Sequence, residues 1–390
     1  MKDWSEIRSQ FPITSRMIYL DAACIVPSPH CVVQAVSDFY RNLSENGEDR
    51  TALEGKIESV REKFAKLINA TPDEVTLIKN TTEGLNIAAN GIPLNAGDNV
   101  IITDLEHLNN VYPWLNLKER KGVEVRILKS RNGRLSLEDL KPIVDQRTRS
   151  LSISSVTFTG LKIDLKPFGQ FCKEHDMYFV VDGIQGVGRL ALDVRDCWVD
   201  ILACGGHKGL MAGRGIGCLY VSKEIIDTLD VTFAGPPVDL RHEPVSTEFK
   251  QAEGAKKFDA GGANYSGVCA LDAALSFLEK IGISNIEPYD LHLGQVLVDG
   301  VREIRGIRIL SPIHPGESSG IVSITTQDNR QMAKILEANN IQVSCRGSGI
   351  RISPHFYNTE EEITTTINTV RESLEQMRSH QKPIWGSNSR

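Results

Sequence analysis

The chain has 390 residues, 41% hydrophobic and 24% charged, with a formal net charge of -6. That length exceeds the usual single-core limit and predicts two packed domains, while the mildly acidic balance gives no reason to expect nucleic acid or an anionic membrane as partner. No apolar run approaches the roughly 20 residues of a membrane helix, and the opening Met1-Lys2-Asp3-Trp4-Ser5-Glu6 is too polar for a secretion signal.

Strand-like and helix-like segments alternate through most of the chain. Val75–Ile78 reads as a strand before a helix over 82–90, and Asn99–Thr103 as a short apolar strand. The runs 123–128 and 151–156 follow, then a helix over 166–175 and a strand over 178–182. Runs 201–204 and 217–221 complete a set of about seven strands. The alternation implies an α/β fold with a mainly parallel sheet covered on both faces, and in such sheets ligands bind at the carboxyl ends of the strands. Past about residue 283, helices over 288–302, 331–338 and 360–378 alternate with short strands, the pattern of a smaller α+β unit. The expected division is a large domain over 14–282, a small domain from 1–13 and 283–379, and a loose polar tail over 380–390.

Eight cysteines are scattered at positions 24, 31, 172, 197, 204, 218, 269 and 345, none in a CxxC pair. This pattern suits a reducing cytoplasm and offers no zinc site.

The chemistry concentrates between Tyr178 and Val221. One apolar run, Phe179-Val180-Val181, ends in Asp182, and another, Ile201-Leu202-Ala203-Cys204, leads into Gly205-Gly206-His207-Lys208. A carboxylate at the end of one buried strand and a lysine just past the next is what pyridoxal phosphate chemistry needs. The amine forms a Schiff base with the cofactor aldehyde, and the carboxylate keeps the pyridine nitrogen protonated. The competing readings are a surface lysine and a helix-capping aspartate. Gln185 is placed to donate to the cofactor's phenolic oxygen. The glycines that follow run GxxGxG rather than GxGxxG, which argues against a dinucleotide site.

Three further places carry chemistry. Asn80-Thr81-Thr82-Glu83-Gly84 lies between a strand and a helix, where backbone N–H groups and hydroxyls form a phosphate cradle; an imperfect capping box is the alternative. His107, after the 99–103 strand, can stack on a pyridine ring, against a loop histidine or a metal site with Asp104 and Glu106. Arg351, in Gly349-Ile350-Arg351-Ile352-Ser353, can grip a substrate carboxylate through paired hydrogen bonds.

Together these residues resemble the class V aminotransferase family, in its cysteine desulfurase-like branch, from Tyr19-Leu20-Asp21-Ala22-Ala23 to Tyr357-Asn358-Thr359-Glu360. The resemblance implies a fold type I pyridoxal-phosphate enzyme and an obligate homodimer with active sites at the interface. It implies Thr81 and Thr82 at the phosphate, His107 on the ring, Asp182 and Gln185 at the pyridine nitrogen and phenolate, His207 at the phosphate and Lys208 as the imine lysine. Arg351 corresponds to the carboxylate-binding arginine, and Phe258–Asn264, with Gly262 and Asn264, to the segment that reaches the neighbouring subunit's phosphate. Thr157 matches the asparagine near the phenolic oxygen. Gly205 and Gly262 stand where desulfurases carry hydroxyls, and Leu108 where a second histidine often stands.

A desulfurase carries sulfur on a cysteine in a long loop ahead of the arginine, but here Ile341–Ser348 is short and Cys345 lies six residues before Arg351. The favoured expectation is therefore a lyase that cleaves a Cβ–S bond of a cysteine-like L-amino acid through an α-carbanion. An epimerase, an aminotransferase and a cyclase share every residue named. A desulfurase using Cys345 and a non-catalytic cofactor-binding protein are the remaining alternatives. Side-chain specificity is expected from the surroundings of Ala23, Trp114 and His355.

Overall fold

In the computed structural model, residues 4–236, 245, 247–314, 316–346 and 349–379 are described. The expected tail over 380–390 lies outside them. The helices are α1 Trp4–Ser9, α2 His30–Asn46, α3 Arg50–Ile68, α4 Thr81–Gly91, α5 Tyr112–Lys121, α6 Leu137–Leu140, α7 Leu165–Glu174, α8 Tyr265–Ile281, α9 Ile283–Arg302, α10 Asn329–Ala338 and α11 Glu360–Ser379. The strands are β1 Ile18–Tyr19, β2 Val75–Ile78, β3 Asn99–Thr103, β4 Glu124–Leu128, β5 Thr148–Ser154, β6 Tyr178–Asp182, β7 Ile201–Gly205 and β8 Gly217–Val221. Five shorter ones follow: β9 Arg308–Ile309, β10 Val322–Thr325, β11 Ile341–Gln342, β12 Ser344–Arg346 and β13 Gly349–Ile352.

The main sheet has seven strands in the order β2-β8-β7-β6-β5-β3-β4 among the described residues. The five from β7 to β4 are mutually parallel, whereas β8 runs antiparallel to β7 and β2 antiparallel to β8. β6, β7 and β8 are apolar on both sides because alternate side chains enter different cores, whereas β5 buries Ser150, Ser152 and Ser154 on one side. Phe179, Val181, Leu202, Cys204 and Tyr220 pack with Phe64 of α3, Phe171 of α7 and Leu275 of α8. Val180, Ile201, Ala203 and Leu219 pack with Leu85 of α4 and Trp114 of α5. Fully burying one such aliphatic or aromatic side chain is worth about 1.5–3 kcal/mol, so this face-by-face filling fixes strand register.

A four-stranded antiparallel sheet, β12-β13-β10-β9, packs with α9, α10 and α11 around a separate core that includes Leu297, Ile324, Met332, Ile350 and Ile367. The N-terminal segment joins this part of the molecule. β1 pairs in parallel with β11 in the register Ile18↔Ile341, and Asp21 bridges to Ser353.

Candidate active site

Asp182 closes β6, with Ser154 of β5 and Ala203 of β7 as its lateral partners in the parallel register. It therefore stands at the carboxyl edge of the sheet. Lys208 lies in the turn after β7, whose backbone is pinned by Gly206 N–H to the Ile216 carbonyl (2.7 Å), Met211 N–H to the Lys208 carbonyl (2.8 Å) and Val26 N–H to the His207 carbonyl (3.0 Å). The turn after β6 meets this one backbone to backbone. Gly188 has φ +84, and a Cβ there would run into the carbonyl of Gly209; a Cβ on Gly209 would run into that of Val187. Two bare glycines thus set Asp182 and Lys208 beside one another.

Asp182 is 2% exposed and accepts a 2.9 Å hydrogen bond from the Ile184 N–H. Burial pushes its carboxyl up to about 7, against the lowering pull of that N–H and of Lys208. The same burial lowers Lys208 to about 8, Asp182 opposing and Arg351 adding to the drop. Asp182 feels Lys208 but forms no ion pair within 4 Å among the described residues, a place that a protonated pyridine nitrogen would fill. A second open valence lies nearby. Gln185 donates from Nε2 to the Ala23 carbonyl at 2.9 Å, and its buried Oε1 has no donor among the described residues. A donor on a ligand or a water can satisfy it. The chemistry of the site thus fits a pyridoxal group.

Thr81 and Thr82 open α4, whose N-cap Asn80 accepts the Glu83 N–H at 2.9 Å. Asn80 thus takes up the Glu83 amide, and a helix start leaves the first N–H groups, those of Thr81 and Thr82, without intrahelical partners; both residues line a cavity of about 240 Å³ with His207 and Arg214. Gly205 donates its N–H to Thr81 Oγ1 at 3.0 Å, and a Cβ at Gly205 would stand 3.2 Å from that oxygen. The hydroxyl missing at position 205 is thus replaced in space by that of Thr81. Burial, then the charges of Lys208 and Arg214, lower His207 to about 4.

Ala23, His107 and Arg351 line the same cavity. His107 sits on a turn anchored by Glu106, which is buried and accepts from Thr103 Oγ1, Asn110 Nδ2, Ser154 N–H and Ser154 Oγ. Those bonds consume the carboxylate that a metal at His107 would need. Burial, then Lys208, Arg346 and Arg351, keep the His107 imidazole below its usual range. Arg351 extends from β13 with Nη1 3.4 Å from the Phe158 carbonyl and Nη2 3.8 Å from Asp21 Oδ1, while its Nε has no partner among the described residues.

Other expectations are corrected by the geometry. Thr157 does not line the cavity; its hydroxyl contacts Thr159 Oγ1 (2.9 Å) and the Leu161 N–H (3.1 Å), and its neighbours Val156 and Phe158 face the site instead. Gly262 and Asn264, expected to reach the neighbouring subunit's phosphate, lie on a larger groove of about 1060 Å³ that Gly215 shares, with Asn264 capping α8. Trp114 is core, and His355 is fully buried with Nδ1 3.3 Å from Asp290. Cys345 faces a different depression, with Lys334 and Glu337. Sequence reasoning did not single out Cys24, Arg214 and Arg346, which do line the cavity. All three sit in turns or a strand end, where no periodicity signals direction.

A family model described as Aminotransferase class-V matches residues 18–366. A Methanothermobacter thermautotrophicus protein described as a probable cysteine desulfurase is 31% identical over 395 residues, covering 94% of this chain and 97% of the relative. Among solved structures, the apo cysteine desulfurase of Thermococcus onnurineus NA1 is similar at a TM-score of 0.89 and 27% identity, covering 96% of this chain and 99% of that one. The cysteine desulfurase CsdA of Escherichia coli is similar at a TM-score of 0.87 and 26% identity, with the same coverage.

Proposed function

The chain belongs to the aminotransferase class-V family and is a pyridoxal-phosphate-dependent enzyme of fold type I, and from that premise we propose that it cleaves the Cβ–S bond of a cysteine-like L-amino acid by β-elimination. Pyridoxal phosphate, when bound, supplies a ring that stabilises negative charge at the substrate α-carbon. In this reading Lys208 Nζ binds the cofactor's aldehyde carbon, and Asp182 faces the ring nitrogen. His107 covers the ring, Gln185 lies at its phenolic edge, and Thr81, Thr82, His207 and Arg214 hold the phosphate.

Arg351 receives the substrate carboxylate. Its Nε is unpartnered and its other contacts are long, so its hydrogen-bonding capacity is free for a ligand. Lys208 Nζ, when not holding the cofactor, would be the base that removes the substrate α-proton. With its pKa lowered to about 8, a useful share of the amine is unprotonated near neutral pH. The β-sulfur then leaves as a thiolate, toward the cationic side of the cavity formed by Arg346 and Arg351.

The observation that carries elimination, rather than sulfur capture on Cys345, is that Cys345 faces away from the Lys208 cavity. The second reading, a desulfurase using Cys345, draws on the description of the relatives as cysteine desulfurases. A panel of L-amino acids including cysteine, cystine and S-substituted cysteines separates the two. Elimination yields pyruvate and a sulfur product that survive Cys345→Ala; complete loss in that variant favours the desulfurase. Exchange of the α-hydrogen with no sulfur product rejects both and leaves an epimerase. We also propose a homodimer in which the partner covers the groove bearing Gly262 and Asn264, whose exposed, glycine-rich edge suits a second subunit's phosphate. Sedimentation of the holoenzyme as a monomer at micromolar concentration rejects that arrangement.

A further inference from the structure

The proposed elimination releases sulfur into a cavity whose own wall carries a thiol. Cys24 lies in the turn after β1 and lines the cavity together with Lys208, His107 and Arg351. Its place is firmly held: its N–H donates to the Asp21 carbonyl at 3.0 Å, and the preceding Ala23 N–H donates to Ser353 Oγ at 2.9 Å. Its Sγ lies 3.2 Å from Nη2 of Arg346. Lys208, Arg346 and Arg351 are the cations near it, and the phenol of Tyr19 is a further neighbour. The guanidinium in contact with the sulfur is a partner for negative charge that develops there.

Independent features mark the same cavity as a place where a ligand belongs. Arg351 has a side chain only 6% exposed, and its Nε has no partner among the described residues. Gln185 is 4% exposed, and its Oε1 is likewise unsatisfied. These open positions, assigned above to the substrate carboxylate and the cofactor, place the bound substrate in the cavity that the thiol lines. Cys345 shares none of this, because it faces Lys334 and Glu337 elsewhere.

We propose that Cys24 is the sulfur acceptor of this pocket and takes a sulfane sulfur from a persulfide released there. The proposal rests on the elimination reading. When the β-substituent of the substrate is a disulfide, elimination breaks Cβ–S and releases a persulfide, R–S–SH after protonation. The Cys24 sulfur gives up its proton and attacks the terminal sulfur. A bond forms between Cys24 Sγ and that sulfur, the R–S to sulfur bond breaks, and its electron pair leaves on RS⁻, which takes up the proton given by Cys24. The products are Cys24–S–SH and RSH; sulfur oxidation is exchanged within the pair, with no outside oxidant or reductant.

The test incubates the holoenzyme with L-cystine, blocks thiols with an alkylating agent and maps peptides by mass spectrometry. One extra sulfur atom on the Cys24 peptide, formed alongside pyruvate, retained in Cys345→Ala and lost in Cys24→Ser, is the expected result. Pyruvate without extra sulfur on Cys24 overturns the proposal while elimination stands. A second arm does not need turnover: glutathione persulfide is supplied directly to the Lys208→Ala variant. Most of the transferred sulfur is expected on Cys24. If the exposed Cys345 takes as much or more, the proposal fails whether or not elimination occurs.

Discussion

Replacing Asp182 with asparagine should stabilise the cofactor-free protein and weaken the cofactor-loaded one. The carboxyl is 2% exposed and its folded pKa is raised from 3.8 to about 7, chiefly by burial. Below pH 3.8 it is protonated in both folded and unfolded chains and costs nothing. As pH rises toward 7, the unfolded chain releases its proton first, so folding stability falls across that window and the full cost remains above it. The gap between 3.8 and about 7 corresponds to at most about 4 kcal/mol. The amide keeps the shape and can still accept from the Ile184 N–H. Thermal unfolding of cofactor-free Asp182→Asn should therefore match the parent near pH 4 and exceed it by several degrees at pH 8. Added pyridoxal phosphate should reverse the order, because only the carboxylate pairs with a protonated ring nitrogen. A cofactor-free variant no more stable than the parent at pH 8 would refute this reasoning.

Arg351→Gln should raise KM for α-amino acids roughly 10- to 150-fold, the value of about 1.5–3 kcal/mol for hydrogen bonds to a charged group, with a smaller change in kcat. Because the polar contacts of its side chain among the described residues are at 3.4 and 3.8 Å, Tm should move little; a large fall in Tm at constant KM would mark Arg351 as structural. Borohydride reduction of the loaded enzyme should add cofactor mass to the peptide carrying Lys208 and add none in Lys208→Ala; an adduct on another lysine rejects the assignment. Gly188→Ala, at φ +84 against the Gly209 carbonyl, should cost roughly 2–4 kcal/mol in denaturant unfolding, and an unchanged midpoint would mean that the two turns are not in close contact.

Where physics writes a periodic signal, the sequence was readable. Strands β3, β6, β7 and β8 are short unbroken apolar runs because both of their faces are buried. The polar residues at their ends, Asp182 and Lys208, stood out against that background. Strand direction left no such trace: β8 has the composition of its parallel neighbours but runs antiparallel, a choice made by long-range pairing. Helix α2 was not singled out, although its residues are amphipathic; Val32 is its one buried residue among those described. Thr157 failed as a site residue by one position. β5 ends at Ser154, and in the irregular segment beyond it Val156 and Phe158 point inward. Cys24 and Arg346 escaped notice because a wall assembled from a turn near one end of the chain and a strand near the other has no local signature.

That wall also sets a schedule for the nascent protein. β1 has no strand to pair with until Ile341–Gln342 has been translated, and Ala23 is not tethered until Ser353 follows. Lys208 and Asp182 emerge from the ribosome well before either, on a half-built rim without Arg351. Stable vitamin B6 loading must therefore wait for nearly the entire polypeptide, and a frameshift or early stop late in the gene leaves a chain that has its main sheet and its lysine but no closed cup around them.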